Sequence, residues 1–419
     1  MPQSSPRHVV LATLGTDGDV FPYVGLGATL RKRGKRVTLV ASEHYQRLAE
    51  QHDLEFRALH SKAENDELFT HPDFWHPIKT ARLGAAWGLK RIRGHYDLLR
   101  DICAEESSVI VANPGILGAL LAHEKHGTPW ASIILQPWMI PSAEAPSVML
   151  GLPIPRKGPV VVRRLYWRFF DVVVDLLVAR GFNAIRASLQ LPPVKRVFRL
   201  WLSPQAIIGA FPSWYAEPQS DWPKQVRLTG FPMFDGSKGE LPADLLKFCR
   251  AGSPPIALTF GSEMMHAARL FNESIAACQM TGSRCVVLTK YRNQLPEALP
   301  AGAFHCAFAR FEKLFPLCSA IVHHGGVGTM AQALAAGTPQ LILPIAYDQG
   351  DNGERVKQMG AGDWIYSKRA TAANIATALS SLSRNGARDS LQSIKGRFTG
   401  HDGLSKMADV VETLAPCPA

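Results

Sequence analysis

Residues 320–352 read AIVHHGGVGTMAQALAAGTPQLILPIAYDQGDN. Ala320–His323 and Gln340–Leu343 are short apolar runs of the kind that form buried strands. Thr329–Ala336 between them reads as a helix, and Asn352–Met359 as the next one. Strand and helix in alternation require a parallel sheet covered on both faces. The same rhythm extends upstream. Ile256–Phe260 is a strand ending at Gly261-Ser262, Arg269–Met280 a helix and Cys285–Leu288 a strand. It occurs again at the N-terminus, where His8–Leu14, Val37–Val40 and Leu54–Leu59 read as strands. Pro22–Arg33 and Tyr45–Gln51 read as the helices between them. Pro22 suits a first turn, where its missing N–H is not needed. Two doubly wound α/β units are expected, starting near residues 8 and 256. Residues 210–236, AFPSWYAEPQSDWPKQVRLTGFPMFDG, carry four prolines and read as the linker. The expected domains are 1–222 and 223–419, with ligand in a cleft at the carboxyl ends of the strands.

The turn at 323–329 holds the strongest chemistry. Gly325, Gly326 and Gly328 let the backbone approach a ligand closely. The helix beginning there offers unpaired N–H groups and the positive end of its dipole. With Thr329 and a histidine beside it, this is a cradle for a diphosphate. No GK[ST] follows, so it is not a Walker loop. An ordinary glycine-rich turn of an α/β unit is the other reading. Asp348 and Gln349 follow the next strand and pair an acceptor with an amide, which suits a polyhydroxylated sugar. Helix capping is the simpler role for Asp351.

HHGGVGTMAQALAAGTPQLILPIAYDQGDN resembles the donor signature of family 1 nucleotide-sugar glycosyltransferases of the GT-B fold. The resemblance implies two Rossmann-like domains facing a central cleft, the first binding acceptor and the second donor. It assigns His324, Gly326 and Thr329 to the phosphates, with His323 a second candidate, and Asp348 and Gln349 to the hexose. Gln332 stands where many members have a ribose-binding Glu. ALTFGSE resembles the family's strand ending in Gly-Ser, so Gly261 and Ser262 would also face the diphosphate. Phe308 matches an aromatic that stacks on the nucleobase, and Arg310 replaces a frequent Pro two residues on. GTDGDVFPYVGLGATLRKRGKRVTL, residues 15–39, resembles the opening of bacterial members acting on antibiotics, sterols and lipids. That match makes Asp19 the base that takes the acceptor's proton; capping the following helix is its other role. Residues 197–236 and 121–130 resemble most the rhamnosyltransferases of rhamnolipid synthesis. An inverting transfer from a UDP- or dTDP-sugar to an amphiphilic hydroxyl acceptor is therefore expected, without metal or other cofactor. A GT-B epimerase or a non-catalytic nucleotide-sugar binder are the alternatives.

Composition agrees with a globular chain: 46% hydrophobic and 19% charged residues in 419. The charge is +11, yet no dense basic run or nucleic-acid motif occurs, so no nucleic-acid partner is expected. A basic surface could attract anionic lipid, or serve solubility alone. Residues 159–182, PVVVRRLYWRFFDVVVDLLVARGF, are too interrupted by charge to span a bilayer. They read as an amphipathic helix with Tyr166, Trp167, Phe169, Phe170, Val173, Val174 and Leu177 on one face, packed on its domain or lying on a membrane surface. No signal peptide is read at the N-terminus, and seven cysteines without a CxxC fit a reducing cytoplasm. A location there, at most peripheral to the inner membrane, is expected. His95, His123, His126 and His401 read as surface or satisfied core histidines.

Overall fold

The computed structural model describes residues 6–76, 79–104, 107–150, 154–236, 239–262, 264–384 and 387–414. The chain divides into two units. The first comprises Met1–Ser147, Leu152–Gly236 and Asp402–Ala419; the second comprises Val148–Gly151 and Ser237–His401.

The first unit is built on seven parallel strands: β1 His8–Ala12, β2 Arg36–Ser42, β3 Glu55–His60, β4 Ser108–Ala112, β5 Trp130–Ile134, β6 Ala206–Gly209 and β7 Val226–Leu228. Their order is β3-β2-β1-β4-β5-β6-β7. β1 is central, with Val10 opposite Thr38 on one side and Ile110 on the other. Val9, Val10 and Leu11 are fully buried, each worth about 1.5–3 kcal/mol of apolar transfer. The helices Lys79–Cys103 and Leu117–His126 cover one face through Ile92, Tyr96, Leu99, Leu120 and Leu121. Gly118 makes their contact: a Cβ there would lie 2.6 Å from the Tyr96 nitrogen.

The second unit repeats the plan with β8 Ile256–Thr259, β9 Cys285–Leu288, β10 Ala303–Cys306, β11 Ala320–His323, β12 Gln340–Ile342 and β13 Gly362–Trp364. The order is β10-β9-β8-β11-β12-β13, all parallel. In both sheets the order reverses beside the first strand, between β1 and β4 and between β8 and β11. Such reversal points open a crevice at the carboxyl ends of the strands, where ligands of α/β sheets bind.

Four expectations are corrected. The first helix spans Asp17–Lys32, not Pro22–Arg33. Thr16 and Asp19 close a capping box that starts it five residues early, and Pro22 falls in its second turn. The change of unit comes at Gly236–Ser237 rather than near 222, because β7 still pairs with β6 as the edge of the first sheet. The last helix, Gly403–Glu412, belongs to the first unit. Arg33 of the first helix bonds Asp409 at 2.7 Å and Glu412 at 2.9 Å. The 29-residue helix Val160–Ser188 packs Trp167 and Arg163 inward, so its aromatic residues do not share one face. The Trp167 indole N–H donates to the Ser142 carbonyl at 2.9 Å.

Candidate active site

In the second unit the crevice between β8 and β11 is lined by glycines with identifiable reasons. β11 ends at His323, level with Thr259 at the end of β8. The next residue, His324, swings its ring over two glycines. A Cβ at Gly261 would approach the ring to 3.4 Å, and one at Gly326 would lie 2.6 Å from Nε2. Gly261 and Gly325 also hold φ of +103° and +98°, which only glycine adopts without strain. The imidazole is buried enough that desolvation pushes its pKa down to about 4, with the Thr259 backbone opposing the shift. His324 is therefore neutral at physiological pH, with an Nδ1 that is buried and lacks a well-formed hydrogen bond.

His323 has a different task. Its Nε2 meets the Gln340 side-chain oxygen at 2.9 Å, and its Nδ1 accepts the Gly325 N–H at 3.1 Å. Desolvation, helped by His324, pushes its pKa down to about 3. His323 thus shapes the turn from inside, fully buried, and of the two histidines His324 is the one left to meet a ligand.

The helix Val327–Ala336 starts at Gly326 with no side-chain cap. The N–H groups of Val327, Gly328 and Thr329 precede the first i→i−4 donor and have no partner within the helix. A Cβ on Gly328 would meet nothing within 4 Å. Packing therefore does not require glycine there, whereas a ligand at the helix end would. Gln332 lies one turn on from Gly328, is nearly buried and makes no hydrogen bond among the described residues. Ser262 follows Gly261 and is half-buried, and Phe308 stands 52% exposed just after β10. Arg310 donates to the Gly239 carbonyl at 2.8 Å and to Glu312 at 2.8 Å. It pins the loop that a proline would have stiffened.

Asp348 and Gln349 lie at the start of the helix Gln349–Gln358. Asp348 accepts from the Asn352 amide at 2.7 Å, and the same amide donates to the Gly325 carbonyl at 2.7 Å. Asp348 is thereby tied through Asn352 to the glycine turn. Gln349 uses its oxygen to accept the N–H groups of Ile345 and Ala346, leaving its NH₂ for a ligand. Tyr347 before them has a φ of +55°, a strain of the sort that collects at functional sites. Asp351 is no cap: it accepts the Val148 N–H at 2.8 Å and Arg355 at 2.8 Å.

In the first unit, Asp19 sits at the reversal point after β1. Its Oδ2 accepts the Thr16 N–H at 3.0 Å and rests where a Cβ of Gly15 would be, 2.2 Å away. No hydrogen bond is made by Oδ1 among the described residues. Desolvation pushes the carboxyl up to about 6, against the hydrogen bonds from Thr16. The capping role is thus real, and it occupies one oxygen only. Asp17 accepts from the Tyr45 hydroxyl at 2.9 Å, and among the described residues no group of three His, Cys, Asp or Glu is arranged to hold a metal.

One further polar cluster escaped the sequence reading. His95 is buried with both ring nitrogens unpartnered, and burial pushes its pKa down to about 4, with His60 and Arg91 adding to the shift. His60 at the end of β3 packs edge-on to Trp87 at 5.3 Å and meets Asn65 at 3.3 Å. Unlike His95, His123 and His126 are satisfied, by Thr128 and Tyr96. No spacing rule joins positions 60, 91 and 95; their approach is tertiary.

Two protein-family domains match the chain: the glycosyltransferase family 28 N-terminal domain over residues 9–143, and the erythromycin biosynthesis protein CIII-like C-terminal domain over 276–395. The chain is also similar to the O-mycaminosyltylonolide 6-deoxyallosyltransferase of Streptomyces fradiae, 32% identical over 371 residues covering 84% of each chain. The chain belongs to the GT-B glycosyltransferases. This transferase is 26% identical to a sterol 3-beta-glucosyltransferase of Arabidopsis thaliana, over 86% of its own length and 60% of the relative's. Its fold matches the solved glycosyltransferase of kitacinnamycin with a TM-score of 0.75 at 17% identity, over 97% and 98% of the two chains. A spinosyn rhamnosyltransferase gives 0.69 at 18% identity, over 97% and 100%.

Proposed function

We propose that this glycosyltransferase moves a hexose or 6-deoxyhexose from a UDP- or dTDP-sugar to a hydroxyl of an amphiphilic acceptor, with inversion at the anomeric carbon. The observation that carries the donor reading is the uncapped helix start at Val327–Thr329, with Gly328 over open space and a neutral His324 beside it. Those N–H groups and a ring N–H would hold the diphosphate oxygens, whose charge grows as the sugar leaves. Gln332 would meet the ribose, Phe308 the base, and Asp348 with the Gln349 amide the sugar hydroxyls. A 6-deoxyhexose is supported by the 6-deoxyallosyl group in the name of a relative 32% identical to the chain. Sterols in the names of other relatives support an apolar acceptor body, and a rhamnolipid-type acceptor is the specific case we favour.

In the chemical step the acceptor oxygen bonds to the anomeric carbon as Asp19 Oδ1 takes its proton. The bond from that carbon to the phosphate oxygen breaks, and its electron pair leaves on the diphosphate. A single displacement inverts the centre, and no metal is assigned a part. The test is a panel of UDP- and dTDP-sugars with a hydroxy-fatty acid, a sterol and a phenol, read by mass spectrometry, with wild type beside His324→Ala and Asp348→Ala. We expect glycoside from at least one lipid-like acceptor. Activity should fall by about 10²-fold or more in His324→Ala, and sugar recognition should be lost while free nucleotide still binds in Asp348→Ala. Sugar isomerisation without transfer, transfer only to small hydrophilic acceptors, or full activity of His324→Ala would overturn the reading.

A further inference from the structure

Eleven large apolar side chains are exposed among the described residues, and eight of them lie on the single helix Val160–Ser188. Val161, Leu165, Phe169, Val172 and Leu176 follow one another at spacings of three and four, which aligns them along one side of the helix. Phe169 is 67% and Leu176 82% exposed. The stripe runs for roughly 24 Å at 1.5 Å per residue. Scattered apolar residues on a surface are ordinary, but a continuous band of this length marks a docking face. The opposite side is satisfied by the first unit through Arg163, Trp167, Asp171, Phe182 and Arg186.

The exposed charges on and beside the stripe are positive. Arg156, Lys157, Arg164, Arg168 and Arg180 are exposed on the stripe or beside it. Of these, Arg164 reaches half-buried Glu144 at 3.3 Å. Both acids of the helix turn inward. Asp171 accepts from Arg199 at 2.9 Å, and Asp175 accepts the backbone N–H groups of Arg196 and Val197. The helix is not apolar enough to cross a membrane.

We propose that this face docks on an anionic lipid bilayer, with the helix lying in the interface plane, its apolar stripe in the acyl boundary and its arginines among the headgroups. An apolar face bordered by cations is the pattern of interfacial helices. A second copy fits worse, because a two-fold contact would set the cations of one helix against those of the other. Hydrophobic burial and attraction to anionic headgroups act together here, so both should be required.

The test is cosedimentation of the full chain with vesicles of phosphatidylcholine alone, and of phosphatidylcholine and phosphatidylglycerol in equal parts. Wild type should pellet with the mixed vesicles, should pellet far less with the neutral ones, and should be released by high salt. Arg168→Glu with Arg180→Glu should weaken binding by about 25-fold or more, at about fivefold per cation. Phe169→Gln with Leu176→Gln should abolish it at an unchanged melting temperature, since both sites are exposed; Leu176→Gln alone serves if the pair does not fold. Equal binding of wild type and the glutamine variants, or none to mixed vesicles, would overturn the proposal. A dimer in light scattering that the glutamine variants dissolve would assign the face to a second copy. Loss of turnover on a water-soluble acceptor, in step with loss of binding, would assign it to the acceptor instead. Either of these outcomes overturns the bilayer reading.

Discussion

Asp19 holds one oxygen in a capping box and keeps the other unbonded, with its pKa pushed up to about 6 by burial. A carboxyl of that pKa is mostly ionised at neutral pH, as the proposed base must be, and becomes protonated just below it. The expected pH profile of kcat/KM therefore falls about tenfold per unit below pH 6. Asp19→Asn keeps an oxygen for the Thr16 N–H but cannot accept a proton. It should fold, bind donor and lose transfer by about 10²–10⁴-fold. Activity that survives in the Asn variant, with its acid limb intact, would place the base elsewhere. Gly328 permits a complementary experiment. Gly328→Ala adds a methyl group to open space and removes a helix-weakening glycine, which should raise stability by up to about 1 kcal/mol. In the donor pose we propose, the same methyl would push the diphosphate outward, so kcat/KM for donor should drop by as much as about 10²-fold. A variant more stable and fully active would show that no ligand approaches that helix end. At this scale residue types were legible in the sequence, whereas the division of labour between His323 and His324 was not. It depends on Gln340, seventeen positions away, reaching back to the first ring.

Elements were legible where burial left little choice. Cys285–Leu288 and Ala320–His323 form as read, because a parallel strand covered on both faces is largely apolar. Helix starts were harder. The first helix begins at Thr16 because of a reciprocal cap, a signal overshadowed by Pro22. The helix Val160–Ser188 was harder still. Apolar residues surround much of it, so periodicity cannot say which side packs; that is decided by the Ser142 carbonyl receiving Trp167. Contacts between helices have a sharper test at Gly118. Its Cβ would fall 2.6 Å from the Tyr96 nitrogen and 2.8 Å from the His95 carbonyl carbon, and backbone cannot step aside as a side chain can. Gly118→Ala should force the helices Lys79–Cys103 and Leu117–His126 apart and cost about 1–3 kcal/mol. Urea unfolding would read this as a lowered midpoint, and an unchanged midpoint would mean that the two helices pack more loosely than described.

For the whole molecule, burial lowers the pKa of four histidines from an ordinary value of 6.5: His95 and His324 to about 4, His323 to about 3, and His60 in the same direction. A lowered histidine pKa contributes stability that is present above 6.5 and lost as pH falls towards the folded value. Asp19, raised from 3.8 to about 6, has the opposite sign: its contribution is present below 3.8 and lost as pH rises through 6. Histidines outweigh it, so acid should destabilise the chain. Each unit holds two such histidines, but only in the first does Asp19 oppose them, so the second, with His323 and His324, should lose more. Calorimetry at pH 7.5 and pH 5 should show melting lowered by at least about 5 °C at the lower pH, the larger shift falling on the second unit. A melting temperature that rises on acidification would contradict these burials.

The last helix returns to the first unit with its backbone seated directly on the chain: a Cβ on Gly403 would lie 2.3 Å from the Phe231 carbonyl oxygen. Anyone building hybrids of this enzyme with its relatives must therefore treat the second unit as an insertion and not as a tail. A single crossover near residue 236 would bring in a foreign terminal helix, which would have to supply its own answers to Arg33 and Phe231. Exchanging 237–401 between two junctions leaves that seam intact. Libraries cut at both points should yield more folded hybrids than libraries cut at one, and donor choice should travel with the exchanged piece.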